Sequence, residues 1–324
     1  MDKELFRIYK SKTSWIVLFV AIIVFFVFSI HYALQANYYD NYIYHGVSEY
    51  KTIDEITEHI DKLESDLLLL DENDTENKVY VEQTISIYKF LSENEISYSE
   101  FQTDYSVYMS MYEGSENKII YTEAILNVVS VLCSFSMIII SVLIVSNDFS
   151  SGLYKNVFGT NKPRKTIIKS KLCAYLIFFA ILECIFLIFA LITSIQFDNV
   201  TPNVICFFGK KLFVLKSNNY VFLNYISQIL GTIPFVVLFF GIALMMRNTY
   251  LNIITSVSAF ATPYILSLFT EIIGRDIYAV RMGLIHSLNG YYPSCIFILT
   301  YGVEVLVSIV FVILGIIIYK KRNL

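Results

Sequence analysis

Six long apolar runs constrain the fold of this chain more than any other feature of its sequence. A membrane-spanning helix needs about 20 mostly apolar residues to cross roughly 30 Å of hydrocarbon. Only 16% of the residues are charged, against about 25% in an average soluble chain. The sequence therefore predicts an all-α integral membrane protein with six transmembrane helices, at 14–34, 121–146, 172–195, 221–246, 250–273 and 295–319.

Basic residues indicate the orientation of these spans, because lysine and arginine collect in the cytoplasmic connections of membrane proteins. Of the 24 basic residues, 14 lie before the first span, between the second and third spans, at Arg247 and at the C-terminus. These places all lie on one face if the spans alternate, so both termini are predicted to be cytoplasmic. Lys210, Lys211 and Lys216 lie on the other face, where we expect 205–213 to be an interfacial segment that does not fully cross.

The stretch 35–118, between the first two spans, is strongly acidic. It holds 19 of the 28 acidic residues and five lysines, a net charge of −14. Apolar residues three and four apart predict helices over 53–70 and 77–95. We therefore expect a cytoplasmic segment and first span at 1–34, an extracellular acidic helical domain at 35–118, and a five-span membrane domain at 119–324. The acidic surface is either a solvated face or a docking surface for a cationic peptide or a partner's external domain.

Motifs of enzymatic chemistry are absent from the sequence. The four histidines form no HExxH pair, the five cysteines have no paired spacing, and no glycine-rich loop could hold a nucleotide. We therefore predict no catalytic residue, no metal site, no cofactor in this chain and no nucleic-acid partner. Glu183 and Glu304 lie inside predicted spans, where burial of a charge is costly. Each either hydrogen-bonds to a neighbouring helix or lines a translocation path.

The connection between the second and third spans, at 146–171, predicts an amphipathic helix beneath the membrane. An N-cap with the acidic Asp148 begins this helix, and an apolar stripe recurs every four residues from Phe149. Gly159 and Pro163 end it, and basic residues follow. The helix either lies on the membrane surface or is presented to a cytoplasmic protein.

This connection resembles that of the permease subunits of type-2 ABC exporters. In that family the connection begins with an acidic residue, which is followed by Ser-Gly and a short helix. A turn with proline and basic residues comes next, and a basic residue then enters the next span. The corresponding positions here are Asp148, Ser151-Gly152, the helix from Leu153, Lys162-Pro163-Arg164, and Lys169 or Lys171. The family commonly has Glu at the position of Asp148.

The resemblance implies a coupling helix at about 148–160 that contacts a separate ABC ATPase subunit. The implied contact residues are Asp148, Ser151, Gly152, Leu153, Lys155 and Phe158. It further implies that two permeases, identical or homologous, pair within the lipid of a bacterial plasma membrane, and that the ATPase subunits bind ATP and magnesium.

The predicted cargo is amphipathic or hydrophobic. A peptide is favoured, such as an antimicrobial peptide exported for self-protection, and lipids and lipophilic drugs stay open. Two alternatives stay open. One is a non-transporting membrane sensor or immunity protein whose extracellular acidic hairpin binds a peptide. The other is an ion-coupled secondary carrier that depends on Glu183 or Glu304, although the sequence has no inverted repeat of the kind common in carriers.

Overall fold

The computed structural model describes residues 9–39, 47–50, 52–70, 75–107, 118–146, 164–195, 203–208, 211–269 and 294–321, which are mostly helical. Five helices in these ranges are long and apolar enough to cross a membrane: Lys12–His31, Val128–Val145, Thr166–Phe189, Ser217–Met245 and Tyr301–Lys321. They coincide with five of the predicted spans, which confirms a mostly helical protein with several candidate membrane spans. The span predicted at 250–273 overlaps a 21-residue helix, and its crossing of the membrane stays a prediction.

In chain order the elements are α1 (Lys12–Tyr39), α2 (Ile53–Leu69), α3 (Thr75–Glu93), α4 (Tyr98–Asp104), β1 (Tyr105–Val107), α5 (Lys118–Ser141), α6 (Arg164–Ile195), β2 (Asn203–Phe208), β3 (Lys211–Lys216), α7 (Ser217–Met245), α8 (Thr249–Phe269) and α9 (Ser294–Lys321). A five-residue π-helix, Val142–Ser146, continues α5. The 32 residues of α6 measure about 48 Å, which exceeds the hydrocarbon thickness. One or both ends of α6 therefore reach beyond the apolar layer.

The connection between α1 and α5 contains the two helices predicted from its apolar spacing. α2 and α3 pack against each other, and Ile56, Ile87 and Leu91 are completely buried in the core that they share. An exposed ion pair joins the helices on their outer side, with Lys89 Nζ 2.9 Å from Glu64 Oε1. The hydrophobic core, rather than this solvent-screened pair, holds the two helices together.

A three-stranded sheet joins this region to the connection between α6 and α7. β1 pairs parallel to β2, and β2 pairs antiparallel to β3, with Phe208 opposite Lys211. The described residues of 205–213, which we expected to form an interfacial segment, belong to these strands, and their place relative to the membrane surface stays a prediction. The prediction of an all-α protein is therefore corrected, because the described residues contain one three-stranded sheet beside their helices. We call the described residues of 47–107 together with β2 and β3 the insertion domain.

β2 is apolar from Val204 onward, because it buries side chains on both of its faces. Successive strand residues point to opposite sides of a sheet. Ile205 and Phe207 enter the core formed by α2 and α3, whereas Val204 and Cys206 pack with Tyr220 in the first turn of α7. Burial raises the pKa of Cys206 to about 11, so its thiol stays protonated at neutral pH. The sheet thus attaches the insertion domain to the start of α7.

α7 is the centre of the membrane helices. It contacts α5, α6, α8 and α9, and its contact with α9 is the most extensive. Two glycines permit a close approach of the α7 and α9 backbones. A Cβ on Gly315 would lie 2.7 Å from the carbonyl oxygen of Gly241, and one on Gly241 would lie 2.8 Å from the carbonyl carbon of Phe311. Small residues allow this type of backbone contact between membrane helices.

We expect Gly315→Ala to destabilise the protein by about 1–3 kcal/mol, because the methyl group has no room between the two backbones. Gly302→Ala is a matched control on the same helix, since nothing lies within 4 Å of its added Cβ. Alanine also favours a helix over glycine by roughly 1 kcal/mol, so the control should be neutral or stabilising. Thermal unfolding in detergent measures both variants, and equal unfolding temperatures would contradict the backbone contact.

Candidate functional site

Glu183 lies where three membrane helices meet. Its side chain belongs to α6 and is only 5% exposed. The hydroxyl of Tyr225, on α7, lies 2.6 Å from the Glu183 carbonyl oxygen and 3.0 Å from its Oε2. The thiol of Cys133, on α5, hydrogen-bonds to the same carboxylate. These contacts are those of a carboxylate that bonds to neighbouring helices, and a role in a translocation path stays a prediction.

Glu304, the second carboxylate singled out in the sequence, lies on α9. Both of its carboxylate oxygens are buried. One helical turn later, the hydroxyl of Ser308 donates to the Glu304 carbonyl oxygen at 2.8 Å and to the Pro234 carbonyl oxygen of α7 at 2.7 Å. Glu304 therefore occupies the turn of α9 that precedes a polar contact with α7.

A buried polar face on α7 was missed in the sequence. Asn224, Ser227, Gln228 and Thr232 are all 5% exposed or less. The hydroxyl of Thr232 is hydrogen-bonded to that of Ser130, on α5, at 2.9 Å. The spacing of these residues, at i, i+3, i+4 and i+8 within an apolar run, is that of one helix face and could have predicted it.

Pro234 interrupts the hydrogen bonding of α7, and a neighbouring helix compensates. Proline has no N–H, so the carbonyl four residues earlier, that of Leu230, lacks its helical donor. The hydroxyl of Tyr301, on α9, lies 3.1 Å from that carbonyl oxygen and donates to it. In hydrocarbon an unsatisfied carbonyl is costly, and other helices commonly restore the lost bond.

The six predicted ATPase-contact residues fall outside the described residues. The structure describes the two ends of their connection, which are the π-helix up to Ser146 and α6 from Arg164. The two basic residues noted at the start of the third span differ in their environments. Lys169 is exposed, whereas Lys171 is completely buried and its ammonium donates to the carbonyl oxygen of Ile144 in the π-helix.

A cavity of about 460 Å³ opens in the insertion domain, where α2 and α4 begin. Glu49, Glu95, Tyr50 and Tyr98 are among its lining residues, and the two tyrosine rings meet edge to face at 5.5 Å. Tyr50 donates to the carbonyl oxygen of Ile96, and burial raises its pKa to about 12, so it keeps its proton at neutral pH. The carboxylates favour a cation, but the two helix N-termini favour an anion. The cavity therefore has no clear preference for either charge.

No protein-family model matches this chain, and no curated protein or solved structure matches it either. Among the described residues, no group of three His, Cys, Asp or Glu side chains could hold a metal ion. The functional proposal therefore depends on the membrane helices, their polar contacts and the connection between α5 and α6.

The contact between Pro234 and Tyr301 predicts a non-additive effect of two mutations. Tyr301→Phe leaves the Leu230 carbonyl without this donor, and we expect a loss of about 1–2 kcal/mol in the free energy of unfolding. In a Pro234→Ala background, the new N–H can bond to Leu230 within the helix, so the same mutation should cost much less. A double-mutant cycle by thermal unfolding in detergent measures the difference. Additive losses would contradict the assigned role of Tyr301.

Proposed function

We propose that this chain is the membrane-spanning permease subunit of an ATP-driven exporter of the type-2 ABC class, in a bacterial plasma membrane. The observation that carries the proposal is the connection 147–163. Its Asp148, Ser151-Gly152 and Pro163, with Arg164 directly after it, follow the family's order, and it joins two long apolar helices that are tied to each other by Lys171. Two spans tied in this way are suited to move together when a cytoplasmic partner displaces the connection between them.

The pairing of β1 with β2 supports the orientation that this function needs. β1 belongs to the connection between the first two spans, and β2 belongs to the connection after the third. Two strands that pair must lie on the same side of the membrane. The connection 147–163, which lies one span away from each, then lies on the opposite side with the basic N-terminal segment. This is the side on which an ATPase subunit would be found.

The energy for transport would come from a partner, because the sequence contains no phosphate-binding loop. In the proposed complex, each of two permeases seats its coupling helix on one of two ATPase subunits. Gly152 would permit a close approach of the two backbones, and Asp148 and Lys155 would set the register of the contact. ATP binding with magnesium would close the ATPases and move the coupling helices.

The interior of the membrane helices favours an amphipathic or hydrophobic cargo. Its buried polar side chains are mostly hydroxyls and amides, with Glu183 and Lys171 as hydrogen-bonded charged groups, whereas most of the remaining core is apolar. An interior of this composition has few groups that could coordinate a small ion or hydrogen-bond to a sugar. The acidic insertion domain would attract a cationic amphipathic peptide over a distance of about one Debye length, and a peptide of this type is the cargo that we favour.

The experiment that tests the function is purification of the tagged chain from its native membranes in mild detergent. We expect a soluble ATPase to co-purify in a stoichiometric amount and to hydrolyse ATP. Gly152→Trp should lower that hydrolysis by about tenfold or more while leaving membrane insertion intact, because it displaces the helix from its seat. Asn161→Trp, in the same connection but outside the predicted contact residues, is the matched control and should hydrolyse ATP at nearly the normal rate.

Two outcomes would contradict the proposal. The first is a wild-type chain that purifies without any ATPase. The second is a Gly152→Trp variant that retains full hydrolysis. If mutations at 53–91 then abolished function, the sensor or immunity alternative would replace the exporter. Dependence on an ion gradient and on Glu183 or Glu304 would favour the carrier.

A further inference from the structure

Lys171 occupies an unusual position for a lysine. It is 0% exposed, in a region where Lys169, two residues earlier on the same helix, is exposed to solvent. Its ammonium donates to the carbonyl oxygen of Ile144, which lies 27 residues earlier in the chain and on a different helix. A completely buried ammonium is strongly unfavourable unless it is paired or hydrogen-bonded. Hydrogen bonding by the ammonium group, and not the packing of the methylene groups alone, therefore makes the burial of Lys171 possible.

The acceptor lies in the π-helix that continues α5. Ile144 belongs to this five-residue segment, Val142–Ser146, which is the last part of the second span that the structure describes. A hydrogen bond to a charged donor is about twice as strong as one between neutral groups. Lys171 thus bonds the last described residues of the second span to the third span.

The hydrogen bond between Lys171 and Ile144 lies close to both ends of the connection 147–163. The π-helix ends at Ser146, immediately before the connection, and Lys171 lies about 10 Å along α6 from its first residue, Arg164. The hydrogen bond therefore ties together the two helices from which the connection emerges. Without it, a displacement of the connection could move one helix end and leave the other in place.

We infer that Lys171 is the positioning residue that makes α5 and α6 respond together to the connection 147–163, so that a push from the ATPase reaches both spans. This inference rests on the proposed exporter function. It assigns to Lys171 a role in transmitting motion, distinct from the binding of the ATPase, which is assigned to residues 148–158. The two roles predict different effects of mutation.

The test uses the complex of the full chain with its ATPase. Lys171→Met keeps the length and apolar character of the stem and removes the ammonium. We expect normal co-purification of the ATPase, hydrolysis per bound ATPase about tenfold lower, and amide hydrogen exchange at 142–146 about tenfold faster, because the π-helix has lost a charged donor. Lys169→Met removes the same charge from an exposed position and should match the wild type in all three measurements. Lys171→Arg keeps a cationic donor and should recover hydrolysis to within about threefold of the wild type.

Each result decides the inference. Lys171→Met with bound ATPase and normal hydrolysis would overturn it and leave the exporter function intact, as would a Lys169→Met variant with an equal loss. A wild-type chain without any ATPase would overturn the exporter function and the inference with it. If Lys171→Met fails to accumulate in the membrane, Lys171→Arg decides: an assembled Arg variant with hydrolysis lowered about tenfold would overturn the inference.

Discussion

The scarcity of water between membrane helices is the constraint on which the rest of this structure depends. Every polar group inside the bundle needs a partner from the chain itself. α7 has many polar groups that need such partners, because it contains both Pro234 and a buried polar face. Its neighbours bond to it from two sides: Tyr301 donates to the Leu230 carbonyl that Pro234 leaves without a helical donor, and the hydroxyl of Tyr175 lies 3.1 Å from the carbonyl oxygen of Val236. The arrangement of helices around α7 is therefore specified by hydrogen bonds as well as by apolar packing.

The same helix connects the membrane region to the insertion domain. β3 ends at Lys216 and α7 begins at Ser217, so no flexible linker separates them. β2 strengthens the junction, because one of its faces packs into the domain core and the other packs on Tyr220. A rotation of α7 would therefore move the insertion domain with it. In the proposed exporter, the acidic surface would change its position whenever the membrane helices rearrange.

The sequence predicted the long helices well and the sheet not at all, for physical reasons. Five spans were recognisable because apolar length alone identifies a membrane helix. β2 has a continuous apolar run, as an interfacial segment does, because both of its faces are buried; the dipeptide Gly209-Lys210 between two apolar runs was the available hairpin signal. Glu183 was recognised as a rare charge within a span. Tyr225 and Cys133, its partners, are common residues in apolar runs, and only the tertiary packing brings them to it.

α6 links the two charged groups that are most deeply buried among the described membrane helices. Lys171 and Glu183 are both 5% exposed or less, and at 1.5 Å per residue they lie about 18 Å apart along the helix axis. Lys171 bonds the N-terminal part of α6 to the π-helix, whereas Glu183 bonds the middle of α6 to Tyr225 of α7. A helix with a strong polar contact at each of these points transmits displacement better than one held only by apolar side chains, which slide more easily. In the proposed exporter, a push at the connection 147–163 would therefore reach α7, and through α7 the insertion domain, along this one helix.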